Sequence, residues 1–263
     1  MQQREPGGET ALSSAVPGAI DLHSHVLPGL DDGAATVKES LELARDLAAS
    51  GVRVLAATPH VSERYPTTRS QMEKGLKSLR LALSARGVAI EVVQGGEIAL
   101  DQLEHLDDET LRAFTIGGAG KFALLEFPYD GWPADLADQL SALAAKGVTA
   151  MLAHPERNAI VQAAPERLAG LLEAGALVQV NAGSLTRRAG SAGAAARRLL
   201  DNGLVHVIAS DSHRPGSRPT IAAATAELPD SLARWLTWDA PEAVLAGERP
   251  PPPPRRRRRR FAR

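Results

Sequence analysis

One local pattern recurs five times along the chain and constrains its fold more than any other feature. A stretch with the apolar spacing of a helix ends at a glycine, and a short aliphatic run begins at once. Glycine just past a helix supplies the left-handed C-cap conformation at little cost. The five occurrences are SGVRV (50–54), RGVAI (86–90), KGVTA (146–150), AGALV (174–178) and NGLVH (202–206). The repetition predicts strands alternating with helices, which is typical of a parallel sheet with crossover helices.

Seven segments have the length and composition of strands: residues 19–25, 52–58, 88–94, 121–127, 148–154, 176–182 and 204–211. The helical stretches between them include residues 37–49, 70–85, 133–145, 165–174 and 192–201. Seven strands can form an open doubly wound sheet or a closed barrel, and 263 residues suit one α/β domain. No G-x-G-x-x-G follows the first strand, so a dinucleotide fold lacks its best evidence. GGAGK at 117–121 is interpreted as a turn.

Histidines and carboxylates stand at the ends of these strand segments. Six of the seven segments end at or just before a potential metal ligand, and the sixth segment ends near Asn181. The C-terminal ends of parallel strands form the face where ligands bind, and residues two apart on a strand point the same way. The sequence therefore predicts that five imidazoles and three carboxylates share one face: His23, His25, His60, Glu97, Glu126, His154, Asp211 and His213.

Eight ligands are too many for one tetrahedral ion, so the set predicts two or three divalent metal ions with bridging carboxylates. Nitrogen and oxygen donors without sulfur suit Mn, Fe or Zn. Each motif alone has a simpler explanation, since histidines also serve as hydrogen-bonded core groups and strand-end carboxylates can cap a following helix. His105 is expected at the surface, and His206, in mid-strand, in the core or against a helix.

Composition excludes several classes of function. The chain has no cysteine, which rules out disulfides, thiolate ligands and a cysteine nucleophile. No secretory signal or stretch of about 18 apolar residues is present, so we expect a cytoplasmic protein. The C-terminal RPPPPPRRRRRRFAR carries seven arginines from residue 255 onward; without them, 23 basic residues face 31 acidic ones, a net charge of −8. An acidic body argues against long nucleic acid as a partner, although the basic tail could contact anionic lipid or an acidic partner.

The motifs DLHSHVLPGLDDGA, TPH, GGEI, LLEFP, AHPER, VQVNAGS and ASDSHRPGSRP, in this order, resemble the polymerase and histidinol phosphatase (PHP) superfamily. PGLDDGA, EFP and AHPER resemble more narrowly its bacterial protein-tyrosine phosphatases of capsule and exopolysaccharide synthesis. The resemblance covers roughly residues 19 to 220. It implies a distorted seven-stranded (β/α) barrel with a trinuclear, usually manganese-dependent centre, whose ligand positions all match. Together with the composition of the two ends, the sequence predicts three segments: a flexible N-terminal extension (1–18), a PHP metallophosphatase domain (19–247) and a disordered Pro/Arg-rich tail (248–263).

The resemblance also implies that Arg157 and Arg218 bind the phosphoryl group, although either could instead form a surface salt bridge. Clustered metal ions lower the pKa of a bound water, so hydroxide can attack phosphorus in line, without a covalent intermediate. Asp31 and Asp32, in the loop after the first strand, could orient that water or donate a proton. Alternatively they are turn residues ahead of the helix at Val37.

The implied substrate is phosphotyrosine in a protein, the expected partner being a tyrosine kinase of polysaccharide synthesis. Alternatives are a small-molecule phosphatase, such as one for histidinol phosphate, a phosphodiesterase or nuclease, and a metal-dependent binding module. A shallow, open site would suit phosphotyrosine, and a deep, lidded one a metabolite. The segment 59–70 is the one long loop expected to shape access to the site.

Overall fold

The computed structural model describes residues 18–187, 190–216 and 220–254. Its strands are β1 (Ala19–Asp21), β2 (Val52–Ala57), β3 (His60–Val61), β4 (Glu91–Gln94), β5 (Glu97–Ala99), β6 (Phe122–Glu126), β7 (Thr149–Ala153), β8 (Leu177–Asn181) and β9 (Val207–Ala209). Every strand pairing is parallel. The chain is thus an α/β domain with parallel sheets, as the alternating pattern predicts.

Helices connect the strands and cover them. They are α1 (Val37–Ala49), α2 (Arg69–Ala85), α3 (Asp108–Ala113), α4 (Leu136–Ala145), α5 (Ala159–Ala163), α6 (Ala169–Glu173), α7 (Ala182–Thr186), α8 (Ser191–Asp201), α9 (Ile221–Thr225), α10 (Asp230–Arg234) and α11 (Ala240–Leu245). Short 3-10 helices span Leu100–His105, Ile116–Gly118, Pro155–Arg157 and Pro165–Leu168, and a π-helical turn spans Trp235–Asp239. Within the described residues, no helix is both long and apolar enough to cross a membrane.

Local sequence signals explain where these helices begin and end. Thr68 caps α2 in a capping box with Gln71, whose side chain accepts from the Thr68 backbone in return. Each of the five glycines in the repeated pattern has a positive φ: Gly51, Gly87, Gly147, Gly175 and Gly203. The left-handed C-cap predicted from the repeat is therefore confirmed at all five positions.

The strands form two sheets rather than the single array that seven segments predict. One sheet has the order β1-β2-β4, and the other has the order β3-β5-β6-β7-β8-β9. The difference arises because the chain forms further short strands beyond two of the predicted segments, 52–58 and 88–94. These strands, β3 and β5, follow breaks at Pro59, which has no N–H to donate, and at the Gly95–Gly96 pair, and they belong to the second sheet. A Cβ on Gly96 would lie 2.6 Å from the Phe114 ring, so the chain bends closely around that side chain.

Backbone hydrogen bonds also form outside the named strands, near Pro59 and between the segments that follow β1 and β9. Glu97 N donates to Pro59 O at 3.0 Å, beside the gap between β2 and β3. At the other end of the order, Asp211 N donates to His23 O and His25 N donates to Ser212 O, both at 2.9 Å. These bonds bring the chain after β9 against the chain after β1, so the two sheets meet at the ends that carry the predicted ligands.

The two termini and two short internal stretches lie outside the described residues. Residues 1–17 of the predicted N-terminal extension are among them, and so are Arg218 and the arginines from Arg255 onward. The start of the predicted tail, however, contacts the body. Trp235 Nε1 donates to Pro251 O at 2.9 Å, and Glu248 N donates to Ala243 O at 2.8 Å. The packed part of the chain thus continues past the predicted boundary at residue 247.

Candidate metal centre

The alternation of side chains along the strands places several predicted site residues on the same face, at the ends of the strands. In β6, Phe122 and Leu124 are buried in a small apolar cluster enclosed by the strands, and Glu126 follows on the same face. In β9, Val207 and Ala209 belong to that cluster and Asp211 continues the alternation. The polar groups at the ends of the strands therefore pack directly above this apolar cluster.

Four side chains surround one point at this end of the strands. His23 Nε2 and His25 Nε2 are 3.2 Å apart, and each lies 3.3 Å from Glu97 Oε2 and 3.4 Å from Asp211 Oδ1. Ligand atoms of a tetrahedral ion with bonds near 2.1 Å are about 3.4 Å apart. The four atoms are thus spaced as the corners of a coordination polyhedron.

Glu97 extends the cluster on its other side. Its Oε1 lies 2.9 Å from His154 Nε2, and its Oε2 lies 3.1 Å from His60 Nδ1. His60 Nδ1 is also 3.6 Å from Glu126 Oε2. One fully buried carboxylate is therefore in contact with four histidines, which is the geometry of a bridging ligand.

A third group lies toward solvent and includes Asp32. Asp32 Oδ1 is 3.6 Å from His60 Nε2 and 3.4 Å from His213 Nε2. With His25 these residues offer ligand atoms within 4.8 Å of one another. All eight predicted side chains thus converge, and the Asp32 carboxylate lies among them. His105 does not, since its side chain is 64% exposed and lies elsewhere, as predicted.

Unpaired buried atoms give a second reason, besides the distances, to expect divalent cations at this cluster. Among the buried side-chain atoms of the described residues, Glu97 Oε2, Asp211 Oδ1 and His60 Nδ1 have no hydrogen-bond partner. Buried polar atoms are normally paired, because an unpaired one costs about 1–3 kcal/mol. All three atoms point into the shared centre, where a cation would satisfy them.

A second layer of hydrogen bonds orients the histidine rings. His23 Nδ1 lies 3.0 Å from Gln179 Oε1, and His25 Nδ1 lies 2.7 Å from Asp31 Oδ2. When these imidazoles are neutral, as metal ligands must be, each bond favours the tautomer with the proton on Nδ1 and the Nε2 lone pair toward the centre. Asp31 also accepts from Gly33 N at 2.9 Å and from His60 N at 3.0 Å. Gln179 was not singled out by the sequence, although it precedes Asn181 on the same face of β8.

Gly33 lets this loop lie against His25, and its substitution gives a test of the second layer. A Cβ at residue 33 would lie 2.1 Å from His25 O and 2.9 Å from Asp31 Oδ1, so Gly33→Ala must displace the loop. We expect the phosphate-releasing activity that the resemblance implies to fall on the order of 10²-fold, as for other ångström-scale displacements near a reaction centre. Gly170→Ala is the matched control, since nothing lies within 4 Å of its added Cβ. Unchanged activity in Gly33→Ala with an unchanged circular dichroism spectrum would contradict this role.

Backbone strain is concentrated at the centre. Within the described residues, the non-glycine residues with positive φ are His154 (35°) and Asp211 (52°). Each such conformation costs about 1–3 kcal/mol and persists where the surrounding structure enforces it. In both cases the strained residue follows a strand and turns its side chain into the cluster.

Electrostatics divide the histidines into two sets. Burial alone would lower the pKa of His23, but Glu97 and Asp211 outweigh it and raise this pKa to about 9. Burial likewise opposes charge on His25, yet Asp211, Asp31 and Glu97 raise its pKa well above the usual value. His60 and His213 have lowered pKa values, because burial and the nearby His25 favour their neutral forms. The positive charge of the inner histidines also holds the pKa of Glu97 and of Asp211 well below the usual range against the effect of burial.

Arg157 reaches the rim of the centre and is held there by an aromatic ring. Its Nη1 lies 3.5 Å from Asp211 Oδ2, and its Cζ lies 4.5 Å from the centroid of the Tyr129 ring. Tyr129, 45% exposed, is a contributor that the sequence did not single out, because nothing local links it to Arg157. On the opposite side, Tyr65 of the long 59–70 loop stacks on His60 with ring centroids 5.5 Å apart.

Comparison with known proteins places the chain among close relatives. A family model described as capsular polysaccharide synthesis, CpsB/CapC, matches residues 19–244. Tyrosine-protein phosphatase YwqE of Bacillus subtilis is 32% identical over 201 residues, which cover 76% of this chain and 79% of that protein. Putative tyrosine-protein phosphatase CapC of Staphylococcus aureus is 30% identical over 207 residues, with coverages of 76% and 79%.

Solved structures agree with the sequence matches. A chain from the crystal structures of YwqE from Bacillus subtilis and CpsB from Streptococcus pneumoniae, described as metal-dependent tyrosine phosphatases, superposes with a TM-score of 0.78. It is 29% identical and covers 90% of this chain and 100% of its own length. A β-aspartyl dipeptidase from Fervidobacterium islandicum, 17% identical with a TM-score of 0.54, covers 87% of this chain and 72% of its own, and shares the fold alone.

Proposed function

The chain belongs to the CpsB/CapC family of capsular polysaccharide synthesis, and on that premise we propose that it is a metal-dependent phosphatase of phosphotyrosine in proteins. The observation that carries the proposal is the cluster of buried ligand atoms around Glu97, whose unpaired oxygens and nitrogens divalent cations would satisfy. The tyrosine-protein phosphatase relatives support the reaction and the substrate class. The partner we propose is a bacterial tyrosine kinase that controls polysaccharide synthesis.

The ligand groups suggest how the ions are distributed. His23, His25 and Asp211 would hold one ion, and Asp32, His60 and His213 would hold another on the side of solvent. Glu97, which groups with His23 and His154 and also with His60 and Glu126, would bridge between ions. We propose Mn²⁺ as the metal, because nitrogen and oxygen donors without sulfur suit it. Bound there, divalent ions would supply positive charge against the phosphoryl oxygens and a water of lowered pKa.

The residues of the chain orient the substrate and the ligands. The Arg157 guanidinium stands beside Asp211, where its planar fork can bind two phosphoryl oxygens as charge spreads onto them in the transition state. Arg218, outside the described residues, is proposed for the same role on the family resemblance. Asp31 is proposed as a positioning residue rather than a proton donor, because both its oxygens accept hydrogen bonds and its pKa is lowered, mainly by His25 acting against burial.

Tyr129 is expected to act through Arg157, and two substitutions separate its ring from its hydroxyl. Tyr129→Ala removes the cation–π contact, so kcat/KM for a phosphotyrosine peptide should fall about fivefold, the value of one such contact. Tyr129→Phe keeps the ring and should retain activity within about twofold. If the phenylalanine variant loses as much as the alanine variant, the hydroxyl is the functional group and this role is wrong.

An open approach to the centre favours phosphotyrosine over a small metabolite. The outer ligands are accessible, with 46% of the Asp32 side chain and 30% of the His213 side chain exposed. Arg157, which would meet the phosphate, is 40% exposed. A phosphotyrosine side chain on a flexible segment can reach such a face, whereas a small phosphate ester would gain little enclosure there.

The test is phosphate release by metal-stripped protein resupplied with Mn²⁺. A phosphotyrosine peptide, a phosphoserine peptide and histidinol phosphate are compared at equal concentration, with Mg²⁺ and Zn²⁺ as alternative metals. We expect the phosphotyrosine peptide to be hydrolysed fastest and only with metal present. Preference for histidinol phosphate would contradict the proposed substrate and favour a small-molecule phosphatase. Release without added metal, with none detected by elemental analysis, would contradict the metal centre.

We also propose that the two sheets together form the distorted seven-stranded (β/α) barrel that the resemblance implies. Taking β2 with β3 and β4 with β5 as interrupted strands gives seven, and the bonds between residues 23–25 and 211–212 would close the ring. We propose that the domain spans residues 19–247, which contain the family match over residues 19–244. The arginines of the tail remain proposed contacts for anionic lipid or an acidic partner.

A further inference from the structure

A cavity adjoins the metal centre on the side of Asp211 and His213. Its volume is about 360 Å³, and it lies between the end of β8, helix α7, the start of α8 and the segment after β9. The charged side chains that line it are Arg157, Arg187, Arg214, Asp211 and His213. The proposed reaction uses Arg157, Asp211 and His213 and leaves Arg187 and Arg214 without a role.

The charge of this cavity is opposite to that of the body. Three arginines line it against one carboxylate, Asp211, while the chain without its tail carries a net charge of −8. Asp211 does not pair with Arg187: its Oδ2 accepts from Asn181 Nδ2 at 2.6 Å and lies 3.5 Å from Arg157 Nη1. Clustered arginines beside a phosphate site are typical of recognition of a further anion.

Arg187 is well placed to contact such an anion. Helix α8 packs closely on its backbone, since a Cβ on Gly193 would lie 2.7 Å from Arg187 O, and Arg197 Nη1 donates to that oxygen at 2.8 Å. The Arg187 side chain itself is exposed, and among the described residues its guanidinium pairs with no carboxylate. The backbone is therefore fixed while the charged group is available.

The N-terminal end of α8 also lines the cavity. Ala192 lines the cavity, and the N-cap residue Gly190 offers no side-chain cap to the first N–H groups of this eleven-residue helix. Those groups favour an anion. The volume, about twelve waters at ~30 Å³ each, exceeds what a single phosphoryl group at the metal centre would fill.

We propose that this cavity is a subsite for a second anionic group of the substrate, with Arg187 as a specificity-determining residue. The ligand chemistry is a carboxylate of Asp or Glu, or a second phosphotyrosine phosphate, close in sequence to the phosphotyrosine being hydrolysed. The inference rests on the proposed function, since it assumes a phosphotyrosine segment at the metal centre. It adds that neighbouring negative charge increases the rate at which that segment is used.

The experiment measures kcat and KM for a set of phosphotyrosine peptides. One neutral peptide is compared with peptides that carry a single Glu at each of three positions on either side, and with a doubly phosphorylated peptide. p-Nitrophenyl phosphate, which has no second anion, reports on the centre alone. The variants are Arg187→Glu and, as a matched control, Arg86→Glu, which makes the same charge change on an exposed residue at the C-cap of α2.

For the wild-type enzyme we expect one or two Glu positions, or the second phosphate, to raise kcat/KM about tenfold, mainly through KM, as one charge-assisted contact allows. Arg187→Glu should abolish that preference while leaving p-nitrophenyl phosphate and the neutral peptide within about twofold, and Arg86→Glu should retain it. The difference between the Glu and second-phosphate peptides identifies the source of the anion. The same order of affinities should appear in calorimetric titration with non-hydrolysable phosphonate peptides.

Two failures can be told apart. If the wild type hydrolyses phosphotyrosine but shows no preference for acidic peptides, or if Arg187→Glu keeps that preference, the subsite is wrong and the proposed function stands. If the wild type hydrolyses none of the phosphotyrosine peptides, the proposed function fails first.

Discussion

Glu97→Gln is expected to abolish phosphatase activity, with a loss of at least about 10³-fold, because several kcal/mol of metal-derived stabilisation depend on this carboxylate. Glu97 lies between 2.9 and 3.3 Å from nitrogens of four histidines, His23, His25, His60 and His154. Glutamine keeps the shape but replaces an oxygen by an NH₂ group and removes the negative charge. At least one of the two ions that Glu97 would bridge should therefore be lost.

The measurement pairs turnover with metal content. Purified Glu97→Gln should retain fewer metal ions per chain by elemental analysis, and its circular dichroism should match that of the wild type. The fold is expected to survive because the carboxylate contacts side chains of the cluster rather than the apolar core. His23→Ala should give the same combination of lost turnover and retained fold.

Glu156→Gln is the matched control for burial of a glutamate beside the site. Glu156 is fully buried, but its Oε1 accepts from Asn181 N at 2.9 Å, a bond that an amide oxygen also accepts. Burial raises its pKa, so the neutral amide is a close substitute. Glu156→Gln should keep most activity. If Glu97→Gln retained full activity and full metal content, the bridging assignment and the centre built on it would be wrong.

The convergence of eight side chains could be predicted from the sequence because each stands at a fixed place in a repeated unit. Strand periodicity alone puts Glu126 on the face of Leu124, and Asp211 on the face of Ala209. All eight predicted ligands do converge. The histidines interpreted as non-ligands also lie outside the cluster: His105 is exposed, and His206 Nδ1 accepts from Val178 N at 3.2 Å at the edge of the core.

What the sequence could not resolve depends on distances between separate loops. Asp31 and Asp32 are adjacent and received the same two interpretations, yet one accepts from His25 and the other faces His60 and His213. The path of the 29–34 turn decides between them, and that path depends on the close packing of Gly33 on His25 O. Likewise, the interruption of a strand at Gly95–Gly96 depends on Phe114, which is remote in sequence.

The second prediction with a large effect is that binding of metal releases protons from the inner histidines, His23 and His25. In the metal-free protein the inner group is balanced, with His23 and His25 protonated and Glu97 and Asp211 ionised. A metal ligand must be a neutral imidazole. A divalent ion that replaces two protons leaves the charge of this buried group unchanged, so the exchange avoids a large electrostatic cost.

We therefore expect Mn²⁺ binding at pH 7.5 to release between about one and two protons from the inner group, and affinity to rise steeply with pH. The sign follows from the raised pKa: below about 9, His23 is protonated in the metal-free protein, so protons compete with the ion and affinity falls as pH falls. The dependence should flatten only when both inner histidines, His25 included, are neutral in the metal-free protein. Histidines at their ordinary pKa near 6.5 would instead give an affinity that levels off by about pH 7.5.

Titration calorimetry with Mn²⁺ in buffers of different ionisation enthalpy counts the released protons between pH 6.5 and 9. His213→Gln is the control, because the lowered pKa of His213 leaves it neutral and its loss should not change the count, although it weakens the outer ion. His23→Gln should remove both the tightest ion and its protons. A proton count near zero at pH 7.5, with Mn²⁺ bound, would contradict this prediction. It would show that His23 and His25 are neutral before the metal binds and that the carboxylates alone supply the electrostatic attraction for the ion.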